Sequence, residues 1–319
     1  MNEATAKLRE IARELLVSGQ VTQVIGWERG TEGFRSRPAF ATDLERCERL
    51  IVGPTCTANL ADYVRKLPGK AAVVLKGCDA RAIAVLITEN QLSRELLYLI
   101  GVPCEGLVDL EKLKAHGVNV NRVTDLAIEG DEVVVTTGEV ETRVPAAEVL
   151  RDECLGCQCP TPPVYDALLG EEIGPRDEAL FRALQDRLEA MTPEEREQYF
   201  ADQFSRCIRC YACVKACPMC YCTVCFAVQT QPQYVPRTVS VDENRMFHLG
   251  RAMHLAGRCV ACGACDRACP VNIPLRALNS KLATETKDLF GVVAGLKMDE
   301  KPPLIDFLPG DTEKALDTH

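Results

Sequence analysis

The sequence predicts two layers of different character: a layered α/β domain over residues 1–150, then a mainly helical, cysteine-rich domain over 151–297, with a Pro- and acid-rich arm over 298–319. Three observations predict this. Short apolar runs alternate with helical segments up to about residue 117, the pattern of a parallel sheet covered by helices. From Pro145 onward the strands stop and amphipathic helical segments take over. Finally, 14 of the 18 cysteines lie beyond residue 150.

Each element has its own signal. Residues 4–19 place Leu8, Ile11, Leu15 and Leu16 on one face of a helix. A strand is expected at 21–27, then a Gly-, Arg- and Pro-containing loop over 28–42, and a buried strand at 50–52. A helix over 57–67 is closed by Pro68-Gly69, followed by a strand at 71–75, a helix at 80–89 and a strand at 97–102. A helix at 107–116 is stopped by Gly117. Three strands at 126–128, 133–137 and 140–144, joined by turns at Gly130-Asp131 and Gly138-Glu139, predict an antiparallel meander. Residues 179–190 form an amphipathic helix. Thr192-Pro193-Glu194-Glu195 opens another, with a threonine cap, proline at the first position and an early acid. In the arm, Leu304, Ile305, Phe307 and Leu308 suit either packing on the chain itself or docking on another subunit.

Length and composition narrow the function. The 319 residues suit two domains, and a hydrophobic content of 47% is ample for their cores. The polar start argues against a signal peptide, and no apolar run has membrane-spanning length. A cytoplasmic setting, where thiols stay reduced, is expected. The net charge of −9 argues against nucleic acid, which calls for a basic footprint.

The cysteine spacing carries the chemistry. Cys207-x2-Cys210-x2-Cys213-x3-Cys217-Pro218 is repeated as Cys259-x2-Cys262-x2-Cys265-x3-Cys269-Pro270. This is the run that binds [4Fe–4S] cubes in bacterial-type dicluster ferredoxins, and its fourth cysteine serves the other cube. Cluster A is therefore expected on Cys207, Cys210, Cys213 and Cys269, and cluster B on Cys259, Cys262, Cys265 and Cys217. Disulfides or structural zinc fit eight cysteines in this doubled register badly. The helical domain thus reads as a ferredoxin-like fold, elaborated by the 41 residues between Cys217 and Cys259.

Ten cysteines remain. Cys154 and Cys157 could converge with Cys222 and Cys225 on a third metal site, with Cys159 and Cys220 as substitute ligands. Sulfur ligation of that kind suits a third [4Fe–4S] cluster or a zinc ion, and unmetallated thiols are the remaining reading. Cys56, Cys78 and Cys104 follow predicted strands, where ligands gather in parallel sheets, and could border an N-terminal redox edge. Buried free cysteine acting as a small hydrophobe is the bland reading. Lys76, Asp79 and Arg81 on that edge could steady an anionic cofactor or partner. There is no G-x-G-x-x-G fingerprint, phosphate loop or G-x-S-x-G elbow. His248 and His254 are expected to pack over a cluster, since no nucleophile or carboxylate constellation accompanies them. Arg206, Arg209 and Lys215 could raise the potential of cluster A or simply be solvated.

Lys76-Gly77-Cys78-Asp79-x-Arg81, Gly101-Val102-Pro103-Cys104 and Glu153-Cys154-Leu155-Gly156-Cys157 resemble the β-subunit-like family of deazaflavin-reducing hydrogenases and formate dehydrogenases. Phe247-His248 and Gly257-Arg258-Cys259 resemble dicluster electron-transfer subunits found beside heterodisulfide-reductase-type complexes, and the anaerobic sulfite reductase α subunit is similar in plan. The resemblance spans most of residues 45–295 and implies FAD and a cluster. The function expected is single-electron relay in an anaerobic redox assembly. Its partner would be a flavoprotein, hydrogenase, formate dehydrogenase or heterodisulfide reductase. One alternative is a subunit that itself binds FAD and takes hydride from a deazaflavin or NAD(P)H; another is a scaffold whose clusters only hold the fold.

Overall fold

The computed structural model describes residues 2–32, 34–65, 67–300 and 302–303. The chain runs α1 (Glu3–Val17), β1 (Gln23–Arg29), β2 (Ser36–Ala41), α2 (Leu44–Cys47), β3 (Leu50–Ile51), β4 (Ala71–Leu75), α3 (Gly77–Thr88), β5 (Leu97–Gly101) and α4 (Leu110–Ala115). It continues with β6 (Asp125–Glu129), β7 (Glu132–Thr137), β8 (Val140–Pro145), α5 (Ala146–Val149), α6 (Asp152–Leu155) and β9 (Ala167–Leu168). Then come α7 (Glu178–Glu189), α8 (Pro193–Ser205), α9 (Ala212–Lys215), α10 (Val241–His254), α11 (Ala264–Arg267) and α12 (Arg276–Phe290).

The N-terminal region is mixed α/β. Its main sheet has the order β2-β1-β4-β5-β9, with β3 also pairing β1. Strands β1, β4, β5 and β9 are parallel, and β2 and β3 run antiparallel to β1. Every residue of β4 is buried, as a central parallel strand requires. Leu8, Ala12 and Leu15 of α1 and Ile83 and Leu86 of α3 are buried in the same core. The last parallel strand comes from beyond residue 150: β9 pairs Ile100↔Ala167 and Gly101↔Leu168. The expected meander forms a separate antiparallel sheet, β6-β7-β8.

Two local expectations need correction. The stretch 28–42 is not all loop: Ser36–Ala41 is β2, paired from Val24↔Ala41 to Arg29↔Ser36. Pro38 is tolerated there because β2 is an edge strand, where a missing N–H need break no ladder bond. The helix at 57–67 is reduced to a 3-10 turn, Leu60–Tyr63. The Asn59 side chain captures the Ala61 N–H and the Ala58 carbonyl accepts from Lys76 Nζ at 3.0 Å, so the preceding residues stay extended. Pro68 disfavours helix on the other side.

The cysteine-rich part packs onto the α/β core. Met219, Leu255, Val260 and Ala294 belong to the same apolar cluster as the sheet. Polar ties reinforce the seam. Arg81 donates to the Ala294 and Val260 carbonyls at 2.8 and 3.3 Å. Arg258 Nη2 meets Glu89 Oε2 at 2.7 Å, and the Tyr221 hydroxyl donates to the same carboxylate. The capping box at Thr192 forms as its sequence demands. Leu304, Ile305, Phe307 and Leu308 lie outside the described residues.

Candidate redox sites

The two repeated motifs fold into matching loops. Arg209 and Tyr211 in the first, and Ala261 and Gly263 in the second, have left-handed φ values of 53°, 60°, 55° and 66°. The same alternation at the same offsets is costly for three non-glycine residues, and it curls the loop so that backbone N–H groups face inward. Ala261 N–H lies 3.4 Å from Cys259 Sγ, and Ile273 N–H lies 3.3 Å from Cys269 Sγ. Each loop ends in a single helical turn, α9 or α11, which carries the third cysteine.

The structure brings Cys207, Cys210, Cys213 and Cys269 around one small hollow, site A. It brings Cys217, Cys259, Cys262 and Cys265 around another, site B. The fourth cysteine of each motif thus lies with the other motif. Burial pushes the Cys213 thiol up to about 11 and the Cys259 thiol up to about 12. Such groups do not ionise unaided at neutral pH. Loading iron onto them would release protons.

Polar side chains surround the sulfurs. On α10, Asn244, His248 and Arg251 recur at helical spacing. Asn244 Nδ2 donates to the Phe204 and Cys207 carbonyls at 2.9 and 3.0 Å. His248 Nε2 sits 3.3 Å from Cys207 Sγ, and its ring stacks on Phe204 with centroids 4.9 Å apart. Burial, reinforced by Arg251 and Arg209, pulls the imidazole down to about 3, so it is neutral at pH 7. His254 packs instead against Phe226. Arg209 donates to the Glu243 and Pro236 carbonyls over the Phe247 ring, whereas Arg206 and Lys215 are exposed.

A third group of cysteines converges where the two parts meet. Cys78, Cys104, Cys154, Cys157 and Cys159 line a cavity of about 320 Å3 together with Cys259 and Cys262 of site B. Cys78 opens α3 just after β4, Cys104 follows β5, and Cys154 and Cys157 sit on and just beyond α6. Gly77 is required here: a Cβ on it would lie 1.7 Å from the Cys159 carbonyl oxygen. Cys222 and Cys225, the expected partners of Cys154 and Cys157, do not line this cavity. Cys222 is exposed, Cys225 packs on the core around site A, and Cys220 lies beside Cys217. Among the described residues no three His, Cys, Asp or Glu side chains converge tightly enough to hold a single ion.

Arg267 joins this cavity to site B. It meets Glu153 at 2.7 Å and donates to the carbonyls of Cys262 and Thr57 at 2.6 and 3.0 Å. On the other side of Cys104 opens a larger cavity of about 730 Å3 at the carboxyl ends of β1, β4 and β5. Trp27, Phe34, Cys56 and residues 125–129 line it, and Lys76, Cys104 and Gly106 border both cavities. Lys76 is 4% exposed, 2.8 Å from Asp79 and 4.0 Å above the Trp27 ring. Burial pulls its ammonium down, but Asp79, Cys78 and Cys104 outweigh that and raise it, so it is charged.

Comparison with known proteins places these features. Residues 69–171 match the family described as the C terminus of the coenzyme F420 hydrogenase/dehydrogenase beta subunit, and residues 203–273 match the 4Fe–4S dicluster domain. The chain carries a domain of each family. It is an iron–sulfur protein of the electron-transferring oxidoreductase subunits. The F420-dependent formate dehydrogenase subunit β of Methanocaldococcus jannaschii is 23% identical over 363 residues, covering 95% of this chain and 93% of that protein. The F420-dependent formate dehydrogenase 1 subunit β of Methanococcus maripaludis is 23% identical over 367 residues, again covering 95% and 93%. A chain of the F420-reducing [NiFe] hydrogenase complex from Methanosarcina barkeri aligns with a TM-score of 0.38 and 13% identity, covering 64% of this chain and 86% of that one. No helix among the described residues is long and apolar enough to cross a membrane.

Sequence reasoning missed Arg251 and Arg267, two of the buried cations beside the cysteines. The signal for Arg251 was its place on one helical face with Asn244 and His248. Arg267 had none beyond its position inside the second motif. The grouping of Cys154 and Cys157 with Cys78 and Cys104 was also invisible, because it is made by the fold of the sheet edge.

Proposed function

We propose that the chain passes electrons along a row of four sites: a flavin in the 730 Å3 cavity, a third [4Fe–4S] cluster, cluster B and cluster A. The observation that carries this reading is continuity. Cys104 borders both the large cavity and the third group, and Cys259 and Cys262 border both the third group and site B. Cys78, Cys104, Cys154 and Cys157 are the ligands we assign to the third cluster. A cube suits four thiols spread around a cavity better than a single zinc ion does. Clusters A and B take the swapped ligand sets, in a mainly helical, ferredoxin-like domain.

The large cavity fits a flavin in size and chemistry. It lies where parallel sheets hold cofactors and has aromatic walls. The buried Trp27 Nε1 has no partner, and a fixed cation, Lys76, stands at the boundary with the cluster cavity. A bound flavin would accept hydride and release electrons one at a time. The chain's own residues hold the group against the sheet edge, shield it, and set Cys104 between it and the first thiols. The names of the formate dehydrogenase relatives favour a deazaflavin such as coenzyme F420 over NAD(P)H as the hydride partner.

Cluster A is the exit. Cys210 is exposed, and its neighbour Ile208 is 57% exposed. We place the partner subunit of a formate dehydrogenase, hydrogenase, flavoprotein or heterodisulfide reductase assembly there, working in the cytoplasm. The test is the cofactor content of protein purified without oxygen. About one FAD and about twelve iron atoms per chain are expected. Absence of flavin would remove the hydride-accepting step, and about eight iron atoms would remove the third cluster.

A further inference from the structure

We propose that the buried guanidinium of Arg251 is a counter-charge shared by clusters A and B, and that it raises the reduction potentials of both. This rests on the reading that sites A and B hold [4Fe–4S] clusters.

Arg251 is 5% exposed on the inner face of α10. Its Nη2 donates to the Cys213 carbonyl of site A at 3.0 Å, and its Nε is buried with no partner. The Cys220 thiol meets the guanidinium, and the charges of Cys217 and Cys265 of site B and Cys213 of site A also act on it. Among the described residues no carboxylate forms an ion pair with it. Of the other buried cations beside the cysteines, Arg267 has Glu153 and Lys76 has Asp79, whereas Arg81 and Arg209 donate to backbone carbonyls.

A guanidinium cannot shed its charge, and a buried charge without a partner is strongly disfavoured. Among the described residues the anionic groups that act on it are the two cysteine sites, whose cluster-bound sulfurs are negative, and the Cys220 thiol beside Cys217. Reduction adds one electron to a cluster and changes no bond, so the reduced form is the more negative. A fixed cation beside it stabilises that form in a medium of low dielectric constant. Arg251 meets site A through the Cys213 carbonyl and site B through Cys220, whose N–H donates to the Cys217 carbonyl at 2.9 Å, so it acts on both. Arg251 therefore positions charge for the electron step without touching the partner or the hydride.

The test is an anaerobic redox titration of the full chain, followed by electron paramagnetic resonance, on wild type, Arg251→Gln and Arg251→Lys. Arg251→Gln is expected to lower both potentials, cutting the reduced-to-oxidised ratio at fixed potential by about tenfold, which is 59 mV for one electron. Arg251→Lys keeps the charge and is expected to stay within about threefold of wild type. Wild-type potentials in Arg251→Gln, a shift confined to one cluster, or an equal shift in Arg251→Lys would each overturn the proposal. If Arg251→Gln fails to load iron, Arg251→Lys decides alone. Loading with near-wild-type potentials supports the proposal, whereas failure to load or a tenfold shift defeats it. Iron analysis separates the two levels. Wild-type protein without the two clusters ends the cluster reading itself, whereas full iron with unmoved potentials ends only the role of Arg251.

Discussion

Replacing Lys76 by methionine removes the cation from the wall between the two cavities and leaves its partner behind. Asp79 is fully buried, with Lys76 Nζ 2.8 Å from its Oδ2. After the change its remaining support is the residue-76 backbone N–H at 3.1 Å, the Cys78 thiol at 3.9 Å and the more distant charge of Arg267. Removing one partner of a buried pair costs about 3–5 kcal/mol, because an uncompensated charge stays in the interior. At roughly 2–4 °C per kcal/mol for a domain of this size, Tm should fall by roughly 6–20 °C. The lost contact of Nζ with the Trp27 ring, 4.0 Å away, adds to the loss. The assay is thermal unfolding by circular dichroism at one scan rate, without oxygen, alongside Lys76→Met/Asp79→Leu. The double variant has no stranded carboxylate, so it should recover at least half of the loss. A single variant as stable as wild type would refute the reasoning, as would a double variant less stable than the single.

Other perturbations reach other parts of the account. Cys217→Ser should impair cluster B while cluster A keeps Cys207, Cys210, Cys213 and Cys269; selective loss of the cluster A signal would reverse the swapped assignment. Glu89→Gln leaves the half-buried Arg258 without its counter-charge at the seam, and an unfolding scan should show a loss of about 3 kcal/mol; an unchanged Tm would mean the seam is held by apolar packing alone. Burial, offset in part by Arg65, pushes the Asp62 carboxyl up to about 6. Its folded pKa lies above its unfolded value, so its contribution is lost as pH rises from about 4 through 6. Asp62→Asn should therefore stabilise the protein more at pH 7 than at pH 4, and an equal gain at both would show that the carboxyl titrates normally.

Much of this was legible in the sequence, for reasons that differ from residue to residue. The doubled cysteine spacing points to both proposed ligand sets because three of each four ligands sit on one short loop. The all-apolar β4 and the capping box at Thr192 were local signals too. Strand β2 escaped because Pro38 hides an edge strand, whose pairing depends on β1 rather than on its own residues. The 57–67 segment escaped because Lys76, far along the chain, competes for the Ala58 carbonyl. The assembly of Cys78, Cys104, Cys154 and Cys157 is tertiary: it needs β4 and β5 side by side and α6 folded back across their ends. No pairwise spacing along the chain encodes that.

The central claim is that electrons enter at the sheet edge and leave through the dicluster loops. The most direct test mixes the oxidised, fully loaded protein with reduced coenzyme F420 in the absence of oxygen, and follows visible absorbance and electron paramagnetic resonance. The account predicts that the iron–sulfur absorbance bleaches and that reduced-cluster signals grow with no other protein present. Clusters that dithionite reduces but reduced F420 leaves oxidised would contradict it.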